Sequence, residues 1–589
     1  MKKEKMILTI IFSVSFLLRL AGQPNFPSCF HRDEIQYGYN AYSILKTGRD
    51  EWGDFLPLHF KFNGEYHVPL IIYLIALTMF FIGPKLIAIR LPAIILGSLL
   101  PILAYFFGKQ FLKDERKALF LAILLALNPW QIINARASGQ HSIASLFFGL
   151  LGFYLLFVFL DKKKRACLGG AVLSFIAAYF SYLGSRLDIP LLLIAFLVFF
   201  RKKIPFKKLT WSVLITTIIS PFLLVLIYPK RFQGTSIINK HFFPEDKNRR
   251  EELTRFYQTN SLKFISQQSR ALFFEFVDNY FDYLNPYYIF RNLGEPKRTN
   301  IPETGSLYLI EVMTVGWGLY GLLTSKGSKK RGFLITWLLL TPITGALTHN
   351  FPDRPNTART VYFYFGLSLL SAWGLDLFFQ SIEKTKRRKF LSAGAGMVFL
   401  VNFLFNARQL VLYADLKIGK DRGCGYLQTF QLIKELEADY DLVYVGTEYD
   451  YPYVYYLWVN KYPPAKYHQF LKEAPPENQP LLIHHYPKRP WQLENIVFKH
   501  ASCLTEKKEG ILYVANFSQC KEKFGVEVTR DIKEDRVNFI GVEDESGEEG
   551  TIIYTSVADI NLSDGSPAFN LYSYDQEKEE AFKREQEQF

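Results

Sequence analysis

Long apolar runs separated by short basic clusters fill about the first 405 residues of the chain, and they constrain its fold more than any other feature. A bilayer core about 30 Å thick is crossed by about 20 apolar residues in a helix, the form that satisfies its own backbone in lipid. Runs near that length recur throughout this region, and 49% of the 589 residues are hydrophobic and 16% aromatic. The expected fold is mainly α: a polytopic transmembrane helical bundle over 1–405, followed by a small extracytoplasmic α/β domain over 406–589. The net charge of +14 invites a nucleic-acid reading, but the Lys and Arg lie between apolar spans, where membrane topology explains them. No nucleic-acid partner is expected.

Cytoplasmic loops hold the excess of Lys and Arg. The clusters at 1–5, 109–117, 161–165, 201–208, 325–331 and 383–389 therefore belong on the cytoplasmic side. All of them face that way if the chain crosses near 6–22, 88–108, 117–133, 141–160, 167–183, 187–200, 209–228, 306–324, 332–348, 360–380 and 389–405. This gives about eleven spans, a cytoplasmic amino terminus and an outer carboxyl terminus, in a plasma membrane. The stretch 68–82 is short for a crossing and would invert the loops after it, so it is read as a re-entrant or interfacial helix. The first span follows MKKEK in the manner of a signal peptide and is read as a retained anchor. Cys29, Cys424, Cys503 and Cys520 then face an oxidising side, where a Cys503–Cys520 disulfide is one option, while Cys167 sits in a span.

The outer loops carry the residues suited to chemistry. The adjacent Asp33 and Glu34 fall just after the first span, where a low-dielectric boundary raises a carboxyl toward the working range of a general base. Asp33 equally suits a helix N-cap before EIQYGYNAYSILKTG, and the two roles can coexist. Glu65 and His67 in NGEYHVPL suit a lipid phosphate or an acceptor, whereas a lone His is more often structural. Trp52, Phe55 and Phe60 suit the membrane interface, with sugar stacking as the sharper alternative. Arg136, Arg186, Arg354 and Arg359 lie on short outer loops where positive charge is otherwise avoided, which favours a phosphate ligand over simple snorkelling. There is no Walker-type loop, CxxC pair or HExxH, so neither a cofactor nor a metal is implied. If sugar is transferred outside, a membrane-anchored donor is its natural source.

The runs HRDEIQYGYNAYSILKTGRDEWGDFLPLHF, HVPLIIYLIAL, AIRLPAIILGSLLPILAYFFGKQFL and LLALNPWQIINARASGQHSIASLFFGLLGF resemble the glycosyltransferase family 39-like proteins. That family includes protein O-mannosyltransferases and the aminoarabinose transferase acting on lipid A, and has the GT-C fold. The likeness covers about the first 190 residues and continues more weakly in IPETGSLYLIEV and NTARTVYFYFGLSLLSAWGL. It implies an inverting glycosyltransferase that takes a sugar from a polyprenyl-phosphate donor to a protein, lipid or glycan acceptor. By resemblance Asp33 is the base and Glu34 its support, with the donor phosphate held by Arg136, Arg186 or Arg359. Two positions depart from the family pattern. His67-Val68-Pro69 stands where Lys-Pro-Pro is usual, and Gln140 stands where an acid usually follows the arginine, so either Glu65 or Asp353 substitutes for it or the protein has drifted in substrate or activity.

Beyond residue 406, LQTFQLIKELEADYDLVYVGTEYDYPYVYYLWV reads as helix, strand, helix, and GILYVANF and GTIIYTSV read as strands. Acceptor recognition and a plain stabilising cap suit this domain equally. A non-catalytic lipid-binding or transport protein is the rival function, but it calls for ionisable residues inside the spans, and these are scarce.

Overall fold

In a computed structural model, the chain is described except for residues 1, 63–64, 138, 205–207, 228–260, 292–298, 302, 326, 349–354, 420–421, 448–450, 476–490, 500–506, 517–526, 532–535, 544–548, 564, 566 and 588–589. It packs as two compact units that interleave along the sequence. The first comprises Met1–Phe26, Val68–Thr78 and Arg90–Ala414, and the second Pro27–His67, Met79–Ile89 and Asp415–Phe589.

Helices of the amino-terminal half are α1 (Lys2–Leu20), α2 (Arg32–Thr47), α3 (Leu70–Ile82), α4 (Leu86–Leu112), α5 (Glu115–Leu127), α6 (Pro129–Arg136), α7 (Gln140–Lys162), α8 (Arg165–Tyr179), α9 (Ser185–Phe200) and α10 (Lys208–Ile227). A two-stranded ribbon, β1 (Phe60–Phe62) with β2 (Glu65–His67), precedes α3. Further helices are α11 (Ser261–Leu284), α12 (Glu311–Thr324), α13 (Lys329–Leu340), α14 (Val361–Ile382) and α15 (Arg388–Arg408).

Four stretches are long and apolar enough to cross a bilayer: Leu86–Leu112, Gln140–Lys162, Thr357–Ile382 and Arg388–Tyr413. A fifth crossing is possible if α5 and α6, bent by 49°, form one broken span. Asn128 causes that break, capping α6 with its side chain and placing Pro129 at the first helical turn. The expected count of eleven is therefore not met by length and composition among the described residues. Several expected crossings are helices of 12 to 16 residues, as in α8, α9, α12 and α13, which reach only about 18–24 Å at 1.5 Å per residue. With 13 residues α3 reaches about 20 Å, within the range of these short helices.

The first unit has an aromatic core. Phe157 meets Phe107, Phe196, Phe200 and Phe333 edge-on, with ring centroids 5.3–6.0 Å apart. Small residues let α12 and α14 approach backbone to backbone. A Cβ added at Gly374 would stand 1.8 Å from the Thr314 carbonyl oxygen, and one at Gly318 2.0 Å from that of Leu370. Asp376 on α14, 1% exposed, pairs with Arg116 and Lys117 at the start of α5.

In the second unit, α16 (Tyr426–Leu436), β3 (Leu442–Gly446) and α17 (Tyr453–Val459) give the helix, strand, helix order expected, and α18 (Pro464–Glu473) follows. The later strands are β4 (Trp491–Leu493), β5 (Ile496–Lys499), β6 (Ile511–Ala515), β7 (Glu527–Asp531), β8 (Arg536–Glu543), β9 (Glu549–Asn561) and β10 (Pro567–Tyr574), before a last helix α19 (Gln576–Glu587). They form one eight-stranded sheet in the order β4-β5-β3-β6-β10-β9-β8-β7. β3 runs parallel to both neighbours and the other pairs are antiparallel. GILYVANF and GTIIYTSV lie at β6 and β9, and the tail forms a helix.

Candidate active site

The first acidic pair opens α2. His31, not Asp33, is the N-cap: its Nδ1 accepts from the Asp33 amide at 3.2 Å, and the Glu34 carboxylate accepts from the His31 amide at 3.2 Å. This reciprocal capping box engages Glu34, which is 1% exposed. The cap expected of Asp33 thus lies two residues earlier, at His31. The Asp33 carboxylate instead lies 3.4 Å from His31 Nδ1 and 3.6 Å from Arg32 Nε, with 21% of its side chain exposed. Arg32 in turn stacks over the Tyr451 ring at 4.9 Å. Of the pair, Asp33 is the carboxylate that reaches solvent while held beside a helix N-terminus, a position that favours its charge.

The segment leading into α2 is fastened to the carboxyl-terminal part of the same unit. Cys29 and Cys424 form a disulfide, and the Asp415 carboxylate accepts from the Ser28 amide and hydroxyl, both at 3.0 Å. Arg422, fully buried, pairs with Asp415 at 3.4 Å. Cys29 has therefore paired across 395 positions, while Cys503 and Cys520 lie outside the described residues. His67 stands on β2 with its Nδ1 3.1 Å from the Tyr37 hydroxyl, and Glu65 is on the same short strand.

In the first unit, Arg136 ends α6 and is buried. Its Nη1 donates to the Leu18 carbonyl at 2.8 Å, and its Nη2 to those of Ala21 and Phe26 at 2.7 and 2.6 Å. These are orphan acceptors at the end of α1 and just beyond, so the guanidinium closes that helix. Arg186, 4% exposed near the start of α9, donates from Nε to the Tyr179 carbonyl at 3.2 Å. Arg359 is half-buried on a 3-10 turn before α14 and hydrogen-bonds the Tyr182 phenol, on which the His141 ring stacks at 5.1 Å. Gln140 is buried at the start of α7. Arg354 and Asp353 lie outside the described residues.

A second acidic pair, Asp50 and Glu51, lies beside Trp52, which the sequence marks only as an interface aromatic. Both are fully buried in the second unit. Burial raises the Asp50 carboxyl to about 6 against the Asp54 amide that bonds it, and raises Glu51 to about 8, opposed by a hydrogen bond from Gln36 and assisted by the Asp50 charge. The available signal was the flanking Gly48 and Gly53, whose φ of 69° and 88° makes a turn that folds the pair inward. Among the described residues no group of three His, Cys, Asp or Glu is placed to hold a metal ion.

Bilayer-length helices and a second unit that presents an acidic pair at a helix start define an integral membrane protein with a mixed sheet in its second unit. Residues 66–228 match the family described as dolichyl-phosphate-mannose-protein mannosyltransferase. Over that segment the match bears out the family resemblance read from the sequence. The chain is similar to the Archaeoglobus fulgidus oligosaccharyltransferase AglB in complex with an inhibitory peptide and a dolichol-phosphate, at 12% identity over 95% of this chain and 75% of that one, with a TM-score of 0.49. It is also similar to ArnT from Cupriavidus metallidurans bound to undecaprenyl phosphate, at 11% identity over 89% and 95% of the two chains, with a TM-score of 0.47. No curated protein sequence matches it.

Proposed function

We propose that this chain is a membrane glycosyltransferase that moves a sugar from a polyprenyl-phosphate donor to an acceptor on the extracytoplasmic side. The observation that carries this reading is Asp33, the solvent-reaching carboxylate of an acidic pair whose other member is engaged in a cap, just ahead of a segment with the mannosyltransferase family's pattern. Asp33 takes the acceptor proton as the acceptor oxygen attacks the anomeric carbon, in one displacement that inverts configuration. Glu34 holds the helix start through its bond to the His31 amide. The lipid phosphate departs as an anion and needs no acid when arginine neutralises it. Arg186 and Arg359 suit that role best, with Arg354 a further candidate from the sequence. Arg136 serves it by fixing the end of α1, and His67 and Glu65 are candidates for contact with the donor or acceptor.

The Cys29–Cys424 disulfide supports an outer location for both ends, because such bonds persist on an oxidising side. Topologically the proposal keeps eleven crossings within 1–405 and an outer domain over 406–589. The short helices then cross by local thinning of the bilayer.

The test is transfer from labelled polyprenyl-phosphate sugars by the full chain in liposomes. Asp33→Asn should lower turnover by about 10²–10⁴-fold with folding intact, as loss of a general base does. Undiminished transfer by Asp33→Asn sinks the assignment of the base. Failure of the unmutated chain on every donor, with binding of the lipid retained, favours a non-catalytic lipid-binding or transport protein.

A further inference from the structure

The turn from Gly48 to Gly53 packs its two buried acids against one face of α2. Asp50 has a local explanation. Its Oδ1 accepts from the Trp52 and Asp54 amides at 2.9 Å each, and its carbonyl accepts from the Ser43 hydroxyl at 3.2 Å and lies 2.6 Å from His468 Nε2. Glu51 hydrogen-bonds Trp52 within the turn and also reaches out of it. Its amide donates to Asn40 Oδ1 at 3.1 Å, and its side chain reaches α2, where Gln36 Nε2 donates to Oε1 at 2.6 Å.

Gln36 Nε2 is also 3.1 Å from the Tyr453 hydroxyl on α17. An amide nitrogen carries two protons, so one side chain bonds Glu51 and Tyr453 together. Gln36, Asn40 and Ser43 follow one another along a single face of α2, and Asp33 stands one turn before Gln36 on that face. The buried face of the helix is thus bonded to the 50–51 turn at three successive levels, the first of them beside the acidic pair.

We infer that Glu51 is a positioning residue: through Gln36 it fixes the first turns of α2 against Tyr453, and so sets the aim of Asp33. This rests on the glycosyltransferase reading. The titratable groups facing Glu51 are Tyr39 from α2, Asp50 from its own turn, Tyr453 from α17 and Tyr467 from α18, with the Lys61–Asp54 pair beyond Asp50. None of the four is a cation. A carboxylate charge at this spot has no compensating partner among them, and burial, assisted by the Asp50 charge, drives the carboxyl to its neutral form. When Glu51 does ionise, the Gln36 bond alone does not offset the buried charge, so water must enter the turn or the turn must leave, and either event loosens the packing of the turn on α2.

The experiment compares the full chain with Glu51→Gln and Glu51→Ala in liposomes. Transfer is measured from pH 6 to 10, and hydrogen exchange of the α2 amides over the same range. Glutamine keeps a neutral acceptor for Gln36 and cannot ionise. Unmutated transfer should fall about tenfold for each unit above pH 8 as the neutral acid is depleted, while Glu51→Gln stays within about threefold of its pH 7 rate. Glu51→Ala should lose about tenfold or more at every pH, with the glutamine variant serving as the rescue. Protection of the α2 amides should weaken above pH 8 in the unmutated chain and in no comparable way in Glu51→Gln. The same alkaline fall, or the same loss of protection, in both proteins overturns the inference. If the unmutated chain transfers no sugar, the glycosyltransferase reading fails, and exchange of the α2 amides alone decides whether Glu51 holds that helix.

Discussion

Replacing Glu51 with glutamine should stabilise the protein within a defined pH window. The Glu51 side chain has no exposed surface, and burial lifts its carboxyl from 4.5 to about 8. An unfolded chain releases this proton near the ordinary value, so between the two values the folded state holds one proton more. Stability from this group is then fully present below pH 4.5 and is lost as pH rises to about 8, at about 1.4 kcal/mol per unit. Asp50 has the same sign, but its rise from 3.8 to about 6 confines its slope to lower pH. His468, lowered from 6.5 by burial, has the opposite sign and adds nothing above that value. Lys461, lowered from 10.5 to about 8 by burial, acts only above the window. From pH 6 to 8 the difference in slope between the unmutated chain and the glutamine variant therefore belongs to Glu51, and over two units it amounts to about 3 kcal/mol. The glutamine variant, uncharged in both states, lacks this contribution. Its new amide protons, if unmatched, cost about 1–2 kcal/mol at every pH, which shifts the curve without tilting it. Chemical unfolding in detergent micelles, followed by pulse proteolysis between pH 5 and 9, reads the two slopes. Parallel curves for the two proteins from pH 6 to 8 would refute the reasoning.

Three further outcomes follow from the structure. Replacing Cys29 and Cys424 by serine, or reducing their disulfide, should cost about 2–5 kcal/mol; an unchanged unfolding midpoint with both thiols shown to be free by labelling would contradict this. Gly374→Ala should cost more than about 2 kcal/mol, since the new Cβ meets the Thr314 carbonyl and the Gly318 nitrogen, backbone atoms that cannot rotate away. Gly316→Ala, with nothing within 4 Å of its new Cβ, is the control, and equal melting of the two variants would remove that explanation. A phosphatase reporter fused after Arg165 should be inactive in the cytoplasm and one fused after Asn406 active outside, and the reverse would invert the proposed topology.

Much of the helical architecture was legible because its causes are local. The runs in α4 and α7 are apolar over lengths that only a bilayer or a large core explains, and Asn128-Pro129 announces a helix start in the middle of an apolar stretch. Span counting went further than the helices do, because charge clusters mark where loops lie and say little about how many residues between them are helical. Long-range pairings left no local trace. Nothing near Cys29 distinguishes Cys424 from Cys503 as its partner, since 395 residues of chain separate the two sulfurs. Arg136 was visible as a boundary arginine, yet the carbonyls of Leu18, Ala21 and Phe26 that engage it carry no side-chain signature. The cap at α2 was misplaced because His is an uncommon cap, although Glu34 three residues on was the second half of the pattern.

The two acidic pairs show where such reading stops. Asp33-Glu34 and Asp50-Glu51 are the same dipeptide 17 positions apart, each preceded by an arginine. Composition and spacing treat them alike. In the fold one aspartate reaches solvent beside a helix N-terminus, while the other pair is sealed beneath α2, and burial moves its carboxyls into the range where proton release has consequences near neutral pH. A carboxylate that reaches solvent can accept a proton from an acceptor hydroxyl. A buried neutral one can hold a helix in place without bringing charge into the core. Gln36 joins the two, one turn from Asp33 and 2.6 Å from Glu51, so the buried pair's environment becomes part of how the exposed pair is aimed.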